Sequence, residues 1–298
     1  MNSPLKPGLI DATIEPPCST WNARLHLEFA KRPRGVRLVK SEHEGPLYVQ
    51  KAFYPEGPEC AHVYLLHPPG GLVSGDTLNI DITASEGAHA LITTPGAGRV
   101  YNAREKGGVQ TQNLQLTVGH DAVLEFFPLE TILFPNAQAR MHTRIDLADR
   151  ASIITWEVTC FGLPANGVAF DSGSAVQSLK IWQNNRLMLN EGLVIDGEGE
   201  SADLLNGNAG LRQRPVHGLM LAGPFDIEPV ELIETLRLLA SQTGEKEWLA
   251  VSQNGAFLTV RYLGACTERA RKLFTLAWAS IRPELIKKES MEPRIWAT

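Results

Sequence analysis

Residues 80 to 92 read Ile80-Asp81-Ile82-Thr83-Ala84-Ser85-Glu86-Gly87-Ala88-His89-Ala90-Leu91-Ile92, two apolar-alternating runs hinged on the polar turn Ser85-Glu86-Gly87. Alternation with period two is the mark of a strand that buries one face. The phrase returns as Leu114-x-Leu116-x-Val118, the turn Gly119-His120-Asp121, and Ala122-x-Leu124-x-Phe126. It returns again as Ile145-x-Leu147, Ala148-Asp149-Arg150 and Ala151-x-Ile153, and more faintly as Leu179-x-Ile181, Asn184-Asn185-Arg186 and Leu187-x-Leu189. The post-turn anchors Ala88, Ala122, Ala151 and Leu187 are 34, 29 and 36 residues apart. No such unit can bury its apolar face alone, so the units are expected to stack into one core. The fold class that follows is mostly β: stacked strands, as a β-helical or solenoid-like body or a large sandwich.

Outward from the repeat, Trp21, Ala23, Leu25, Leu27 and Phe29 alternate with polar residues and predict a half-buried strand. Pro4, Pro7, Pro16 and Pro17 leave residues 1–20 as an expected flexible tail. After a glycine- and acid-rich loop from Gly197 to Gly210, the pattern changes. Leu232, Ile233, Leu236, Leu239 and Ala240 fall at helical spacing between Pro229 and Gln242, with Gly244 just beyond. A hairpin is expected over Trp248 to Tyr262, turning at Asn254-Gly255. A second helix is expected from Thr267, carrying Ala270, Leu273, Phe274, Ala277, Trp278 and Ile281 on one stripe and ending at Pro283. Residues 21–298 thus read as a single unit, with stacked strands over 21–215 and a helix-hairpin-helix part with two α-helices over 216–298. The terminal Arg294-Ile295-Trp296 is too apolar for a free end and is expected to dock.

Composition narrows the function. The chain has 298 residues, 43% of them hydrophobic, and a formal net charge of -5 with no long basic run, which argues against a nucleic-acid surface. Cys18, Cys60, Cys160 and Cys266 are widely spaced, which suits a reducing compartment better than a disulfide framework or a structural zinc site. With neither an apolar leader segment nor a bilayer-length run, a cytoplasmic location is expected. There is no G-x-x-x-x-G-K-[ST], no third glycine after Gly96-Ala97-Gly98, no G-x-S-x-G and no H-E-x-x-H, so the sequence offers no signature of nucleotide hydrolysis, dinucleotide binding, acyl transfer or zincin chemistry.

One stretch is more individual than its composition. His62-Val63-Tyr64-Leu65-Leu66-His67-Pro68-Pro69-Gly70-Gly71-Leu72-Val73-Ser74-Gly75-Asp76 is an apolar strand halted by two prolines and released through paired glycines. It resembles a signature of the urease accessory protein UreD (UreH) family. The blocks Gly45–Gly57, Thr93–Ala97, Glu125–Phe134, Cys160–Gly167 and Pro293–Thr298 follow in that family's order. The chain departs from the family pattern at Ser74, Asn102, Leu163 and Val168. The resemblance implies a mostly β, helically stacked fold with two helices. It also implies a non-catalytic metallochaperone scaffold that binds apo-urease and joins UreF and the GTPase UreG, so that nickel reaches the urease active site. No tightly bound cofactor is expected, only a transient nickel ion, with a dimer possible within the accessory complex and no membrane partner.

The residues that could line an ion's path are carboxylates, imidazoles and a thiol on strands: Glu130, Glu157, Asp76, His67 and Cys160. Glu157 shares a face with Ile153, Thr155 and Thr159, where a carboxylate is costly unless hydrogen-bonded, paired or facing water or a metal. Two other readings remain open at this point. Glu130 and Glu157 could serve as the acid and base of a β-solenoid carbohydrate-active enzyme, which needs them roughly 5–10 Å apart across a groove. Alternatively, the chain could be an assembly scaffold through which no metal passes.

Overall fold

The computed structural model describes residues 20–196, 202–242 and 249–297. The expected tail (all but Thr20), the start of the glycine-rich loop, Gly244, Trp248 and Cys18 lie outside them. The strands are β1 (Asn22–Arg32), β2 (Gly35–Glu44), β3 (Tyr48–Val49), β4 (Ala61–Leu66), β5 (Thr77–Ala84), β6 (His89–Thr93), β7 (Gly98–Val100), β8 (Gln110–Val118) and β9 (Val123–Phe127). They continue with β10 (Thr131–Leu133), β11 (Gln138–Leu147), β12 (Ser152–Phe161), β13 (Ser174–Gln183), β14 (Arg186–Asp196), β15 (Val216–Gly223), β16 (Leu249–Asn254) and β17 (Phe257–Gly264). The helices are α1 (Ala202–Asn206), α2 (Val230–Gln242) and α3 (Thr267–Ile286).

The first three repeat units form the expected stack. Each turn swings the chain from one sheet to the other, so β5, β8 and β11 lie parallel in a first sheet while β6, β9 and β12 lie parallel in a second. Apolar residues stack in register: Leu27, Ile82, Leu116, Ile145 and Ile181 form one column across the first sheet. These columns face Ala90, Leu124 and Ile153 of the second sheet in one buried core. Among the described residues the first sheet runs β14-β13-β11-β8-β5-β1-β2 and the second β16-β17-β15-β12-β9-β6-β4-β3, with β10 bridging β12 and β7. Neither sheet closes on itself.

The fourth unit departs from the stack. Its two runs are the antiparallel hairpin β13–β14 within the first sheet. The turn chemistry explains why. Asn184 and Asn185 both sit at positive φ (50° and 62°), as a two-residue hairpin turn requires, whereas the earlier turns place one such residue each, Gly87, Asp121 and Arg150. Trp21 also departs from expectation. It precedes β1 and is 48% exposed, while Ala23, Leu25, Leu27 and Phe29 are buried.

A second core lies on the outer face of the second sheet, where the stripes of α2 and α3 pack against Trp156, Val158, Met220 and Val260. The hairpin β16–β17 turns at Gly255-Ala256, one residue later than expected. Pro283 does not stop α3, which continues to Ile286 and ends at Lys287 in the left-handed region, whose N–H bonds the Pro283 carbonyl. Proline lacks the N–H that would bond the Ala279 carbonyl, so α3 runs through it with one ladder bond fewer. Trp296 docks on this chain, its Nε1 donating to Thr93 Oγ1 at 2.8 Å beside Phe127, Trp156 and Trp278.

The helical layer is held by a buried charge network. The Arg282 guanidinium of α3 lies between two carboxylates, bonding Glu56 at 2.7 and 2.9 Å and Glu125 on β9 at 3.0 to 3.2 Å. It also donates to the Glu289 carbonyl. Glu125 accepts further bonds from His89 at 2.7 Å and Trp278 Nε1 at 2.6 Å, and Glu56 pairs with His62 at 2.6 Å. Burial alone would raise the Glu56 carboxyl, but hydrogen bonds from His62 and Arg282 outweigh it and hold its pKa at about 2. Glu125 is lowered too, its burial overcome by His89 and Arg282. Arg282→Met should therefore strand two buried carboxylates and cost about 3–5 kcal/mol of stability in chemical unfolding. Because both acids are depressed, their contribution is complete above the ordinary carboxylate pKa of 4.5 and falls as pH drops towards about 2. Unfolding midpoints measured down that range should decline steeply in the natural chain and less so in Glu56→Gln.

Candidate functional site

Two rows of side chains face each other across the inner core. In the first sheet, Thr143 of β11, Leu179 of β13 and Glu191 of β14 are directly opposite neighbours. In the second, Glu157 of β12, Leu219 of β15 and Arg261 of β17 are likewise aligned. The rows are joined at both ends: Thr143 Oγ1 donates to Glu157 Oε1 at 2.6 Å, and Arg261 Nη2 donates to Glu191 Oε1 at 2.8 Å. Thr143 stands between Leu114 and Leu179, in a column that runs on through Ile80 and Leu25, so a hydroxyl replaces an alkyl group opposite the carboxylate.

Space opens on either side of this crossing. A cavity of about 270 Å³ lies between the sheets, lined by Leu72, Leu114, Phe126, Thr131, Glu157 and Gln177, with Arg99 and Arg140 also on its wall. A second cavity of about 160 Å³ is lined by Glu191, His217 and Arg261. Glu157, Thr159 and Gln177 line both, so a single layer of polar side chains separates the two spaces. Gln177 Nε2 donates to Thr159 Oγ1 at 2.7 Å within that layer.

The electrostatics single out Glu157. Burial raises its carboxyl pKa and the one hydrogen bond from Thr143 only partly offsets this; among the described residues no cation pairs with it as Arg282 pairs with Glu125. Such a group gains by holding a proton or by accepting a cation in the proton's place. His217, directly opposite Thr159, is pushed down to about 4, by burial first and by Arg261 second, with Glu191 partly opposing. Its imidazole is therefore neutral at physiological pH.

The other residues expected to line a path are scattered. His67 lines the first cavity, where burial lowers its pKa despite Asp76 nearby. Asp76 is a loop staple, its two oxygens accepting the backbone N–H of Trp21 at 2.9 Å and of Val73 at 3.0 Å. In the same loop Gly71 is required sterically, since a Cβ there would lie 2.7 Å from the Arg99 carbonyl oxygen. Cys160 belongs to the outer core, its thiol raised to about 11 by burial and directed at the Gly162 carbonyl. Glu130 accepts from Thr267 of α3 at 3.2 Å. Glu130 thus meets the helical layer while Glu157 faces the inner cavity, so the two carboxyls form no acid and base pair across a groove.

Sequence reasoning missed His217, Glu191, Arg261 and the network around Arg282. His62, His89 and Glu125 were visible, but nothing at their spacing announced that α3 would bring Arg282 among them. Among the described residues, two groups have donor atoms within 4.8 Å of one another as a metal site needs: Glu56, Cys60 and His62, and Cys60, His89 and Glu125. Both carboxylates already pair with Arg282, and burial pushes the Cys60 thiol upward, away from thiolate. The cation of this cluster is the guanidinium.

No described helix is long and apolar enough to cross a membrane. The chain matches the family model described as UreD urease accessory protein over residues 22–297. It is 50% identical over 287 residues to a urease accessory protein UreD of Marinomonas sp. (strain MWYL1), covering 94% of this chain and 91% of that one. It is 37% identical to the corresponding protein of Psychromonas ingrahamii, covering 95% and 96%, and 38% identical to that of Aliivibrio fischeri (strain ATCC 700601 / ES114), covering 94% and 97%. By this match over nearly the whole chain and these relatives, this chain belongs to the UreD family of urease accessory proteins, and its role is in urease maturation.

Proposed function

We propose that the chain is a non-catalytic scaffold that binds apo-urease, joins UreF and the GTPase UreG in the cytoplasm, and lets nickel through the space between its two sheets on the way to the urease active site. The sequence has no phosphate-binding loop, so nucleotide hydrolysis is supplied by the partner. The observation that carries the reading is Glu157, a half-buried carboxylate with no paired cation among the described residues, standing where two cavities meet. A passing ion needs sites that are few in ligands and weak, and a lone carboxylate flanked by Thr143, Thr159 and Gln177 is of that kind. Nickel is the cargo here; the chain retains no metal of its own.

Glu157→Gln keeps the shape and removes the charge. In a host supplied with limiting nickel, this variant should lower the nickel content and activity of urease by roughly tenfold, the order expected when one supporting group at a metal position is lost. Co-purification with urease, UreF and UreG should be unchanged. Normal nickel loading with an intact complex would favour a scaffold through which no ion passes, and active urease in a strain lacking this gene would remove the role altogether.

A further inference from the structure

We infer that His217 and Glu157 form a two-ligand waypoint for a divalent cation in the second cavity, and that the Arg261–Glu191 ion pair closes that cavity's outer mouth. The inference rests on the reading that an ion travels between the sheets, and adds which residues hold it and what stops it.

Three observations converge with the chemistry of the donors. Thr159 and His217 are directly opposite, as are Glu157 and Leu219, so Glu157 and His217 are diagonal neighbours on one face of the sheet. Diagonal pairs lie about 7–8 Å apart at the backbone, within which a carboxylate and an imidazole can reach a common ion. Both side chains line the same cavity. Among the described residues His217 makes no side-chain hydrogen bond, and its half-buried ring lines the cavity, which leaves a ring nitrogen available. A neutral imidazole with one carboxylate suits a borderline divalent ion such as nickel(II) better than calcium or magnesium, which favour all-oxygen sites.

The mouth is guarded by charge. Arg261 reaches from the second sheet to Glu191 at the edge of the first, with side chains 37% and 20% exposed, so the pair spans the gap between the sheets at the protein surface. A fixed guanidinium repels a dication leaving through that gap. An acidic group on a docked partner could draw Arg261 aside and free Glu191 as the next carboxylate ligand. Two ligands and a closed mouth hold the ion briefly without the tight grip of a resident site.

The test uses the full-length chain and nickel(II) chloride alone. Calorimetry should show one weak site, and nickel X-ray absorption should show scattering from a single imidazole. His217→Leu should remove that scattering and weaken binding about tenfold, and Arg261→Gln should strengthen binding severalfold while Arg261→Lys leaves it unchanged. Thermal melts of each variant report whether it folds; His217→Gln substitutes if the leucine variant does not. Persistence of the imidazole signal in both His217 variants, or Arg261→Gln binding no better than the natural chain, would overturn the proposal. Urease maturation separates the two levels: delivery lost in Glu157→Gln but intact in His217→Leu retains the path and rejects the waypoint, whereas delivery intact in both rejects the path itself.

Discussion

Arg282 sits between Glu56 and Glu125, and the outer half of the molecule is organised by that contact. One guanidinium from α3 reaches the loop before β4, strand β9 and the segment after its own helix. Its carboxylate partners are held in turn by His62, His89 and Trp278, so all four carboxylate oxygens meet hydrogen-bond donors. Five donors in a rigid planar fork suit this position in a way that no lysine could. The apolar stripe of α3 would bury itself against the second sheet in several registers; the charge network allows one. Trp296 then closes the aromatic cluster over Phe127 and Trp156, which places the chain's last turn as part of the same layer.

The inner half treats its carboxylate in the opposite way. Glu125 is charged and fully matched, whereas Glu157 has a hydroxyl for company and a pKa raised by burial. The two residues lie on neighbouring parallel strands of one sheet, on opposite faces, and the difference follows from what covers each face. A helix can insert an arginine into the sheet's outer side. The facing sheet offers instead a row of Thr143, Leu179 and Glu191, and Arg261 pairs with Glu191 at the rim. An uncompensated carboxylate beside empty space costs stability. A structure that keeps one leaves a group that gains from a proton or a cation, and the proposed path for nickel rests on that.

Much of the architecture was legible in the residue pattern because its causes are local. Alternation in Ile80–Ile92 and its echoes names the strands, the three-residue turns name the crossings between sheets, and the stripes of α2 and α3 name the faces they bury. The family was legible too, in blocks such as His62–Asp76, where Gly71 is dictated by close backbone approach. The fourth unit was misread because its strands look like the others and only the left-handed pair Asn184-Asn185 distinguishes a hairpin from a crossing. Glu157 stands out in the sequence because a carboxylate among apolar neighbours is conspicuous in one dimension.

Its companions were not, since their significance lies in pairing across the sequence. His217, Glu191 and Arg261 are ordinary residues in three separate strands, and only the register of β12 with β15 and β17, and of β13 with β14, brings them to one cavity. The same holds for Arg282, 157 residues from Glu125 in the chain and 3.0 Å away in space. Sequence by itself determined which segments are strands, which faces are apolar and which family the chain resembles, because periodicity, turn chemistry and motif order act over a few residues. Tertiary structure alone decided which polar groups share an interior, because the cost of burying a charge depends on what the opposing layer supplies.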